Sequence, residues 1–439
     1  MSFPKGFLFG TATAAAQVEG AAHCDGRGDS IWDEFARKPG KIHGGDTPET
    51  ACDSYHQFDR DVANMKELGV NTYRMSISWS RVLPEGKGQV NQAGLDYYRR
   101  CVDKLKEAGI APNVTLYHWD LPQALEEKGG WANRDTIEYF TDYARLMFDQ
   151  LDPAIWATHN EPIATYVGYA LGGFAPGHTN EKLGNQARHN LLVSHGRAVQ
   201  AYRESGRKAP IGIVIDVWKR HPLTDSEADR QMVIDQDERN WKFYCDPVFT
   251  GRYSDYILNA LEKEGTIMEI KPGDLEAIHA PIDYYGLNCY NRVMVSADQQ
   301  AVRNFESGGN FQDNGTEFYP KAVYDAIHLI RSLYDFKKPI YVTESGWREM
   351  DPEAVDPATG IIEDKQRIQL LQETLGWIDK ANEEGMDVRG YYVWSLMDNF
   401  EWSAGRNLRF GLMHTDFDKL TVTPKRSYYW YRDFIRSHI

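Results

Sequence analysis

Two glutamates follow apolar segments of the chain and have the chemical capacity to act as a pair. Glu161 lies in IWATHNEP (155–162), and Glu344 lies in IYVTESG (340–346). A carboxylate at the end of a buried segment costs on the order of several kcal/mol unless it is paired or protonated. If one of two neighbouring carboxyls is protonated and the other is ionised, the first can donate a proton while the second attacks as a nucleophile.

Further polar and aromatic side chains stand at the ends of other apolar segments. Arg74 is one of them, and because an opposite charge favours the ionised form of a carboxyl, we expect Arg74 to keep Glu344 ionised. The negative charge of Glu344 is in turn expected to raise the pKa of Glu161. The remaining candidates are amides, a histidine, a carboxyl and aromatic rings: His118, Trp119, Asn160, Asn288, Tyr290, Trp394, Glu401 and Trp402.

Two carboxyls accompanied by amides and aromatic rings suit glycoside hydrolysis. A purely structural interpretation competes with this one, because either glutamate alone could join strands through a buried salt bridge and Trp119 or Trp402 alone could belong to the core. Metal chemistry is poorly supported, since His118 and His159 do not form a ligand pattern, and no glycine-rich phosphate loop is present. The five cysteines have no paired spacing. We therefore expect no metal and no cofactor.

The elements that must position these side chains show a repeated pattern. MKELGVNTYRMSISW (65–79) resembles LKEAGIAPNVTLYHW (105–119), and NEEGMDVRGYYVWSL (382–396) is a looser copy. Each copy predicts the end of an amphipathic helix, a glycine that closes it, and a buried strand. Gly69, Gly109 and Gly385 are the predicted helix caps. A repeated order of helix, glycine and strand favours βα units around a parallel sheet.

Eight apolar runs that end in polar residues predict eight strands, and helical stretches separate most of them. This order predicts an α/β fold, a single (β/α)8 TIM barrel over residues 1–439 with long βα loops, whose active site lies at the carboxyl ends of the strands. An open doubly wound sheet is the alternative, but no GxGxxG turn opens the first unit. The predicted strands are Phe7–Ala12, Asn71–Ile77, Ala111–Tyr117, Ile155–Glu161, Ile211–Asp216, Tyr284–Tyr290, Pro339–Glu344 and Gly390–Ser395.

The bulk composition limits the partners of the chain. The formal net charge of −15 argues against nucleic acid and anionic membranes as partners. The sequence contains no apolar run of the length that a membrane span requires, about 20 residues. The amino-terminal segment lacks the basic and apolar regions of a signal peptide, so a cytoplasmic location is expected. The composition does not predict an oligomeric state.

The chain resembles glycoside hydrolase family 1, the β-glucosidase family, in many short motifs that occur in the same order. These motifs extend from FPKGFLFGTATAAAQVEG to KRSYYWYRDFI. The resemblance covers essentially all of the chain. THNEP resembles the motif that carries the acid/base of the family, and YVTESG resembles the motif that carries the nucleophile. QVEG, YHWD, NCY, VWS and NFEW follow the order of the family. The resemblance implies that Glu161 is the acid/base and Glu344 is the nucleophile.

The resemblance also implies a sugar site around these two carboxyls. Tyr290 would hydrogen-bond the nucleophile beside Arg74, Asn160 would hold the 2-hydroxyl, and Trp394 would lie under the sugar ring. The substrate would be a small β-glycoside or oligosaccharide with glucose, fucose or galactose at its nonreducing end, and the products of cellulose degradation are of this kind. The other substrate-binding residues implied are Gln17, His118, Trp119, Asn288, Glu401, Trp402 and Phe410.

The chain departs from the family pattern at four positions near these motifs. His159 replaces an apolar or aromatic residue, Ser345 replaces an asparagine, Arg406 stands where tyrosine is common, and Asp216 stands where asparagine is frequent. These departures concern the pKa of the acid/base and the subsite that holds the leaving group. Two alternatives to a β-glucosidase are a 6-phospho-β-glycosidase, which would lack the pair Glu401 and Trp402, and a noncatalytic sugar-binding relative, which would lack one catalytic glutamate.

Overall fold

A computed structural model of the chain describes residues 1–308, 311–312, 315–350, 353 and 355–439. Within these residues, eight parallel strands close into a barrel in which each strand pairs with its neighbours in the chain and the last pairs with the first. This confirms the predicted (β/α)8 barrel. The strands are β1 (Leu8–Ala12), β2 (Thr72–Ser76), β3 (Ala111–Tyr117), β4 (Ile155–Asn160), β5 (Ile211–Asp216), β6 (Tyr284–Asn288), β7 (Ile340–Ser345) and β8 (Val388–Trp394).

The barrel strands are buried on both faces, as their sequences suggest. Every residue of β2, β4 and β7 is buried, because side chains fill the barrel on one face and helices cover the other. Tyr284, Tyr341 and Tyr392 belong to a small apolar cluster built from strand side chains, and Trp394 is part of the same cluster. The larger apolar cluster includes residues of both the strands and the surrounding helices. Space for a ligand therefore occurs at the mouth of the barrel.

The helices that cover the barrel begin and end at recognisable signals. The helix Glu181–Glu204 starts after Asn180, whose side chain accepts a hydrogen bond from the amide of Leu183. Gly69, Gly109 and Gly385 all adopt the left-handed conformation near a helix end, as predicted. The main covering helices are Ser54–Leu68, Gln92–Glu107, Asp135–Gln150, Glu181–Glu204, Trp241–Thr250, Ala322–Leu333, Lys365–Glu383 and Arg426–Arg436.

The connections after the strands contain the remaining elements. Further α-helices lie at Ala15–Val18, Ile31–Arg37, Trp79–Val82, Gln123–Glu126, Ile163–Tyr166, Glu227–Arg239, Asp255–Glu264, Asp274–Ile278 and Gln299–Ser307. Single turns of 3₁₀ helix lie at His43–Gly45, Gly130–Ala132 and Trp402–Ala404, and a π-helical turn lies at Val167–Leu171. Three two-stranded sheets pair Arg220–Pro222 with Val293–Val295, Glu349–Met350 with Leu408–Arg409, and Met413–Asp416 with Thr421–Pro424.

The connection between β5 and β6 is therefore helical and not an irregular loop. It contains four helices between Glu227 and Ile278. Within the described part of the chain, none of the helices has both the length and the apolar character that a bilayer crossing requires.

Candidate active site

Glu344 lies near the carboxyl end of β7 and is almost completely buried, with 4% of its surface exposed. Its Oε1 accepts a hydrogen bond of 2.6 Å from an Nη of Arg74, and its Oε2 accepts one of 2.8 Å from the hydroxyl of Tyr290. Arg74 is fully buried and supplies the compensating charge. A buried carboxylate held by a cation and a hydroxyl is fixed in position with its charge retained, as a nucleophile requires.

Arg74 also joins the two halves of the site. Its second terminal nitrogen donates to Oδ1 of Asn160 at 2.6 Å, so the guanidinium bridges the ends of β4 and β7. The fork geometry of a guanidinium makes two such bonds in one plane. The position of Asn160 is therefore tied to that of Glu344 through Arg74.

Glu161 follows β4 directly and is partly exposed to the cavity. Its backbone has φ of +42°, a left-handed conformation that is unusual for a residue other than glycine. The side-chain amide of Asn288 donates a hydrogen bond of 2.7 Å to Oε1 of Glu161. Thr343 in turn donates to Oδ1 of Asn288 at 2.8 Å, which orients the amide so that its nitrogen faces the carboxyl.

The environment of Glu161 favours its protonated form. Burial raises the pKa of Glu161 well above its ordinary value, and the negative charges of Asp216 and Glu344 raise it further. The sequence-based expectation named Glu344 alone. Burial has the largest effect because the carboxyl lies at the mouth of a packed barrel, and Asp216 acts more strongly than Glu344.

His118 and Trp119 are held by Asn160. The amide nitrogen of Asn160 donates to Nε2 of His118 at 3.1 Å, so the ring proton of a neutral His118 is on Nδ1. Burial and the charge of Arg74 lower the pKa of His118 well below its ordinary value, so the ring is neutral. The indole of Trp119 donates to the backbone carbonyl of Asn160 at 2.9 Å. Nδ1 of His118 is buried and has no hydrogen-bond partner among the described residues.

Gln17 and Glu401 form a second polar group at the mouth of the barrel. The amide nitrogen of Gln17 donates to Oδ1 of Asn399, to the carbonyl of Phe400 and, at 3.4 Å, to Glu401. The indole of Trp394 donates to the same oxygen of Glu401, also at 3.4 Å. Burial raises the pKa of Glu401 to about 8, and Glu344 adds to this effect. The hydrogen bonds from Trp394 and Gln17 act in the opposite direction and lower this pKa.

Two buried polar atoms among the candidate residues have no hydrogen-bond partner in the part of the chain that the structure describes. Oε1 of Gln17, like Nδ1 of His118, is buried and has no partner among the described residues. Buried polar groups in native proteins are nearly always hydrogen-bonded. One of these two atoms is an acceptor and the other is a donor, and both have almost no accessible surface.

Aromatic rings surround the polar groups. The rings of Trp119 and Trp402 pack with their centroids 4.5 Å apart, and His118 stacks against Trp394 at 6.0 Å. Phe410 packs edge-on against Tyr290. Trp119 and Trp402 both have positive φ, as Glu161 does. Three of the nine described non-glycine residues with positive φ thus lie in this site, where the surrounding structure must hold them.

These groups line one cavity of about 500 Å³. Its lining includes Glu161, Glu344, His118, Trp394 and Glu401. Its lining also includes the apolar residues Phe174, Trp218, Met294, Phe305, Phe311 and Leu408 and the charged residues Arg292, Glu306, Glu317 and Arg348. The arrangement offers a proton donor, a nucleophile, hydroxyl-binding groups and apolar surface within one cavity.

Comparison with known proteins agrees with this arrangement. The sequence model of glycosyl hydrolase family 1 matches residues 1–439. The chain belongs to glycosyl hydrolase family 1. This family 1 enzyme is 41% identical to β-glucosidase A of Acetivibrio thermocellus over 100% of this chain and 99% of the relative. The chain is therefore a glycoside hydrolase.

Solved structures give the same result. The family 1 β-glucosidase of Thermotoga maritima superposes on this chain with a TM-score of 0.92 at 38% identity, covering 100% of this chain and 98% of the other. The AHE enzyme of Alicyclobacillus herbarius superposes with a TM-score of 0.94 at 41% identity, covering 100% and 99%. The resemblance to family 1 that the motifs indicated is confirmed.

The structure of this family 1 enzyme brings all of the predicted site residues to one end of the barrel. Thr343, Asn399, Phe174 and Trp218 also contribute, and the sequence analysis did not include them among the candidates. Thr343 could have been found from its place beside Glu344. Phe174 and Trp218 lie in connections whose course the sequence pattern does not predict.

Two of the unusual residues lie away from the cavity. His159 points to the outside of β4, where its ring stacks on Phe140 at 4.5 Å and its Nε2 hydrogen-bonds Ser194 at 2.9 Å. Arg406 lies over the ring of Phe417 and near Asp46. Neither residue faces Glu161. Ser345 is buried beside Glu344, and Asp216 lies at the end of β5.

One cluster of the described residues has the composition of a metal site, but it already contains a cation. Glu353, Asp398 and His414 have ligand atoms close together. The ammonium of Lys425 donates to Glu353 at 2.6 Å and to Asp398 at 2.8 Å. The cluster is therefore an internal ion-pair network of this enzyme.

Proposed function

We propose that this glycoside hydrolase releases the nonreducing-end β-D-glucosyl residue of small β-glucosides and oligosaccharides, including cellobiose. The observation that supports this proposal is the contrast between two carboxyls in one cavity. Glu344 is bound by Arg74 and Tyr290, while burial and two negative neighbours favour a proton on Glu161. The reaction follows a double displacement, in which Glu344 is the nucleophile and Glu161 is the acid/base.

In the first step, Glu344 attacks the anomeric carbon and the bond from that carbon to the leaving oxygen breaks. Glu161 transfers its proton to the leaving oxygen, whose electron pair would otherwise form a poor alkoxide. The product is a glycosyl ester of Glu344. Asn160, which Arg74 and Asn288 both hold by its Oδ1, is positioned to donate to the 2-hydroxyl as positive charge develops on the sugar.

In the second step, water attacks the anomeric carbon of the ester. Glu161, now ionised, removes a proton from the water, and Glu344 leaves as a carboxylate. Esterification removes the charge of Glu344, and with it one of the effects that raise the pKa of Glu161. An alcohol or a second sugar in place of water would give transglycosylation by the same route.

The two inversions of this mechanism retain the anomeric configuration, and retention requires the two carboxyl groups to lie about 5–5.5 Å apart. Proton NMR of the first product formed from an aryl β-glucoside tests this directly. We expect β-glucose before mutarotation. Initial α-glucose would contradict the double displacement.

The glycone site accepts a neutral sugar. Gln17 and Glu401 offer amide and carboxyl groups to adjacent hydroxyls, and this pair can bind the 4-hydroxyl in either configuration, so fucosides and galactosides are included in the proposal. A 6-phosphate would meet Glu401 and the ring of Trp402. A chromogenic aryl β-glucoside should therefore be hydrolysed, and its 6-phosphate should not. The reverse preference would replace this proposal with a 6-phospho-β-glycosidase.

The nucleophile is tested with Glu344→Gln, which keeps the shape of the side chain and removes its charge. We expect turnover of the aryl glucoside to fall on the order of 10⁴-fold or more, because the covalent step is lost. Binding of glucose, followed by calorimetry, should be nearly unchanged, since the hydroxyl contacts are on other residues. Glu227→Gln is the matched control, because the Glu227 side chain is 86% exposed. Turnover like that of the wild type in a clean preparation of Glu344→Gln would contradict the assignment.

A further inference from the structure

Asp216 is a third carboxyl whose place in the sheet directs it to the catalytic pair. It ends β5, and the strand register places it beside Asn288 of β6, which is in turn beside Glu344 of β7. Paired residues of parallel strands point to the same face of the sheet. Asn288 points to the barrel mouth, because its amide bonds Glu161. Asp216 therefore faces the same side.

The end of β5 also lies against Glu161 itself. The amide of Glu161 donates to the carbonyl of Val214, two residues before Asp216, at 2.9 Å. The side chain of Asp216 is partly exposed, as that of Glu161 is. These two residues thus lie at the carboxyl ends of adjacent strands, and of the two only Glu161 lines the cavity.

The carboxylate of Asp216 has a hydrogen bond from its own backbone amide but no opposite charge close by among the described residues. Arg74, Glu344 and Asp216 act on Glu161, and Arg220 and Glu344 act on Asp216. Arg220 is engaged with Asp237 at 3.2 Å, and no described cation is within ion-pair distance of Asp216. An asparagine, frequent here in the family pattern, would keep the shape and remove the charge.

We propose that Asp216 is a positioning residue for the acid/base, whose negative charge keeps the proton on Glu161 before bond cleavage and persists after Glu344 has become an ester. This proposal rests on the roles assigned to Glu161 and Glu344 above. With Asp216, one negative charge remains next to the acid/base after the glycosyl ester of Glu344 has formed. An asparagine at this position could not provide that charge.

The consequence differs for the two steps. Before cleavage, Asp216 and Glu344 both oppose ionisation of Glu161, so the enzyme remains active to higher pH. After cleavage, only Asp216 opposes ionisation of Glu161. The base form of Glu161 therefore needs a higher pH than it would need if residue 216 were an asparagine. Burial raises the pKa of Asp216 to about 6, and the charge of Glu344 contributes to this value. Esterification removes that contribution, which lowers the pKa of Asp216 and favours its charged form in the intermediate.

The test compares pH profiles of the wild type, Asp216→Asn and Glu227→Gln with a series of aryl β-glucosides. In Asp216→Asn, we expect the alkaline limb of kcat/KM to move to lower pH by roughly one unit, the scale on which protein environments shift carboxyl pKa values. For substrates with very good leaving groups, kcat does not depend on the leaving group, because hydrolysis of the glycosyl ester of Glu344 limits the rate. The acidic limb of kcat should then also move to lower pH.

Controls separate this effect from a structural one. Asp216→Glu keeps the charge, so both limbs of its pH profile should lie where they do in the wild type. Glu227→Gln should leave both limbs unchanged. If Asp216→Asn does not fold, Asp216→Ser removes the same charge and carries the same expectation. A lower rate without movement of either limb would overturn the role of Asp216 alone. Absence of β-glucoside hydrolysis by the wild type would overturn the proposed function as well.

Discussion

Glu161 and Glu344 are the same side chain in two environments, and this difference determines their proposed roles. Glu344 receives hydrogen bonds from a guanidinium and a phenol. Glu161 receives one from a neutral amide and faces two carboxylates. A charged donor stabilises a carboxylate more strongly than a neutral one does. Two identical groups can therefore begin the reaction in opposite protonation states at one pH.

The role of Glu161 predicts a selective effect of Glu161→Gly. A nitrophenolate leaves without a proton, so formation of the ester from a nitrophenyl glucoside should be only mildly slower. Cellobiose has a poor leaving group and should lose on the order of 10²–10⁴-fold, the usual contribution of acid/base catalysis. Single-turnover kinetics with both substrates measure the difference. Equal losses for the two substrates would contradict the assignment.

Azide provides the companion experiment for the same variant. The ester should accumulate in Glu161→Gly because no base activates water, and azide needs no base. Added azide should therefore restore turnover of the nitrophenyl glucoside and yield a β-glycosyl azide. His159 is not an alternative acid, since it packs on the outer side of β4 against Phe140.

At the scale of elements, the connection after β8 depends on one buried cation. Lys425 is completely buried and binds Asp398, three residues before Glu401 in the same connection. Burial alone would raise the pKa of Asp398, but Lys425, His414 and Arg409 hold it well below its ordinary value. Lys425 thus anchors the segment that carries Glu401 and Trp402.

Lys425→Met is expected to destabilise the protein by about 3–5 kcal/mol, because it removes the completely buried one of the two cations that Asp398 and Glu353 share. Urea unfolding measures the loss. Lys419→Met is the matched control: Lys419 pairs with Asp416 on the same hairpin, but its side chain is 76% exposed. The control should change stability by less than about 1 kcal/mol. Equal effects of the two variants would show that burial of Lys425 is not decisive.

The strand positions could be predicted from sequence because their apolar runs are bounded by polar residues. The predicted bounds of β3 and β5 match the structure, and those of the other strands differ by one or two residues at an end. The side that each residue faces follows from alternation along the strand. Asn160 faces the site, so His159 must face the helices, and this could have been deduced.

Other parts of the site could not be predicted in this way. Arg406 lies in a connection with no periodic pattern, and its position depends on distant contacts with Asp46 and Phe417. The effect of Asp216 depends on which strands are adjacent and in which register. A short stretch of sequence shows neither the distant contacts of Arg406 nor the strand register around Asp216.

At the scale of the whole molecule, stability should depend on pH through His414. Hydrogen bonds to Asp398 and Glu353 raise the pKa of His414 to about 9. The ordinary pKa of an unfolded histidine is about 6.5. The protonated ring therefore contributes stability that is fully present below about pH 6.5 and is lost as the pH rises through about 9.

We expect His414→Gln to lower the free energy of unfolding more at pH 6 than at pH 9.5. Urea unfolding of the wild type and the variant at both values measures the two differences. His56→Gln is a suitable control, since His56 is more than half exposed in its pairing with Asp53. The same loss for His414→Gln at both pH values would contradict this contribution.

The pairing of β1 with β8 has a consequence for how the chain is made. β1 bonds β2 on one side and β8 on the other, although nearly the whole sequence separates it from β8. On a ribosome, the sheet grows from its amino-terminal side and keeps two unpaired edges until the last strand emerges. Closure must then join the most distant parts of the polypeptide, a step that high contact order makes slow. The nascent barrel is consequently expected to need protection by chaperones at its β1 edge for almost the entire time of its synthesis.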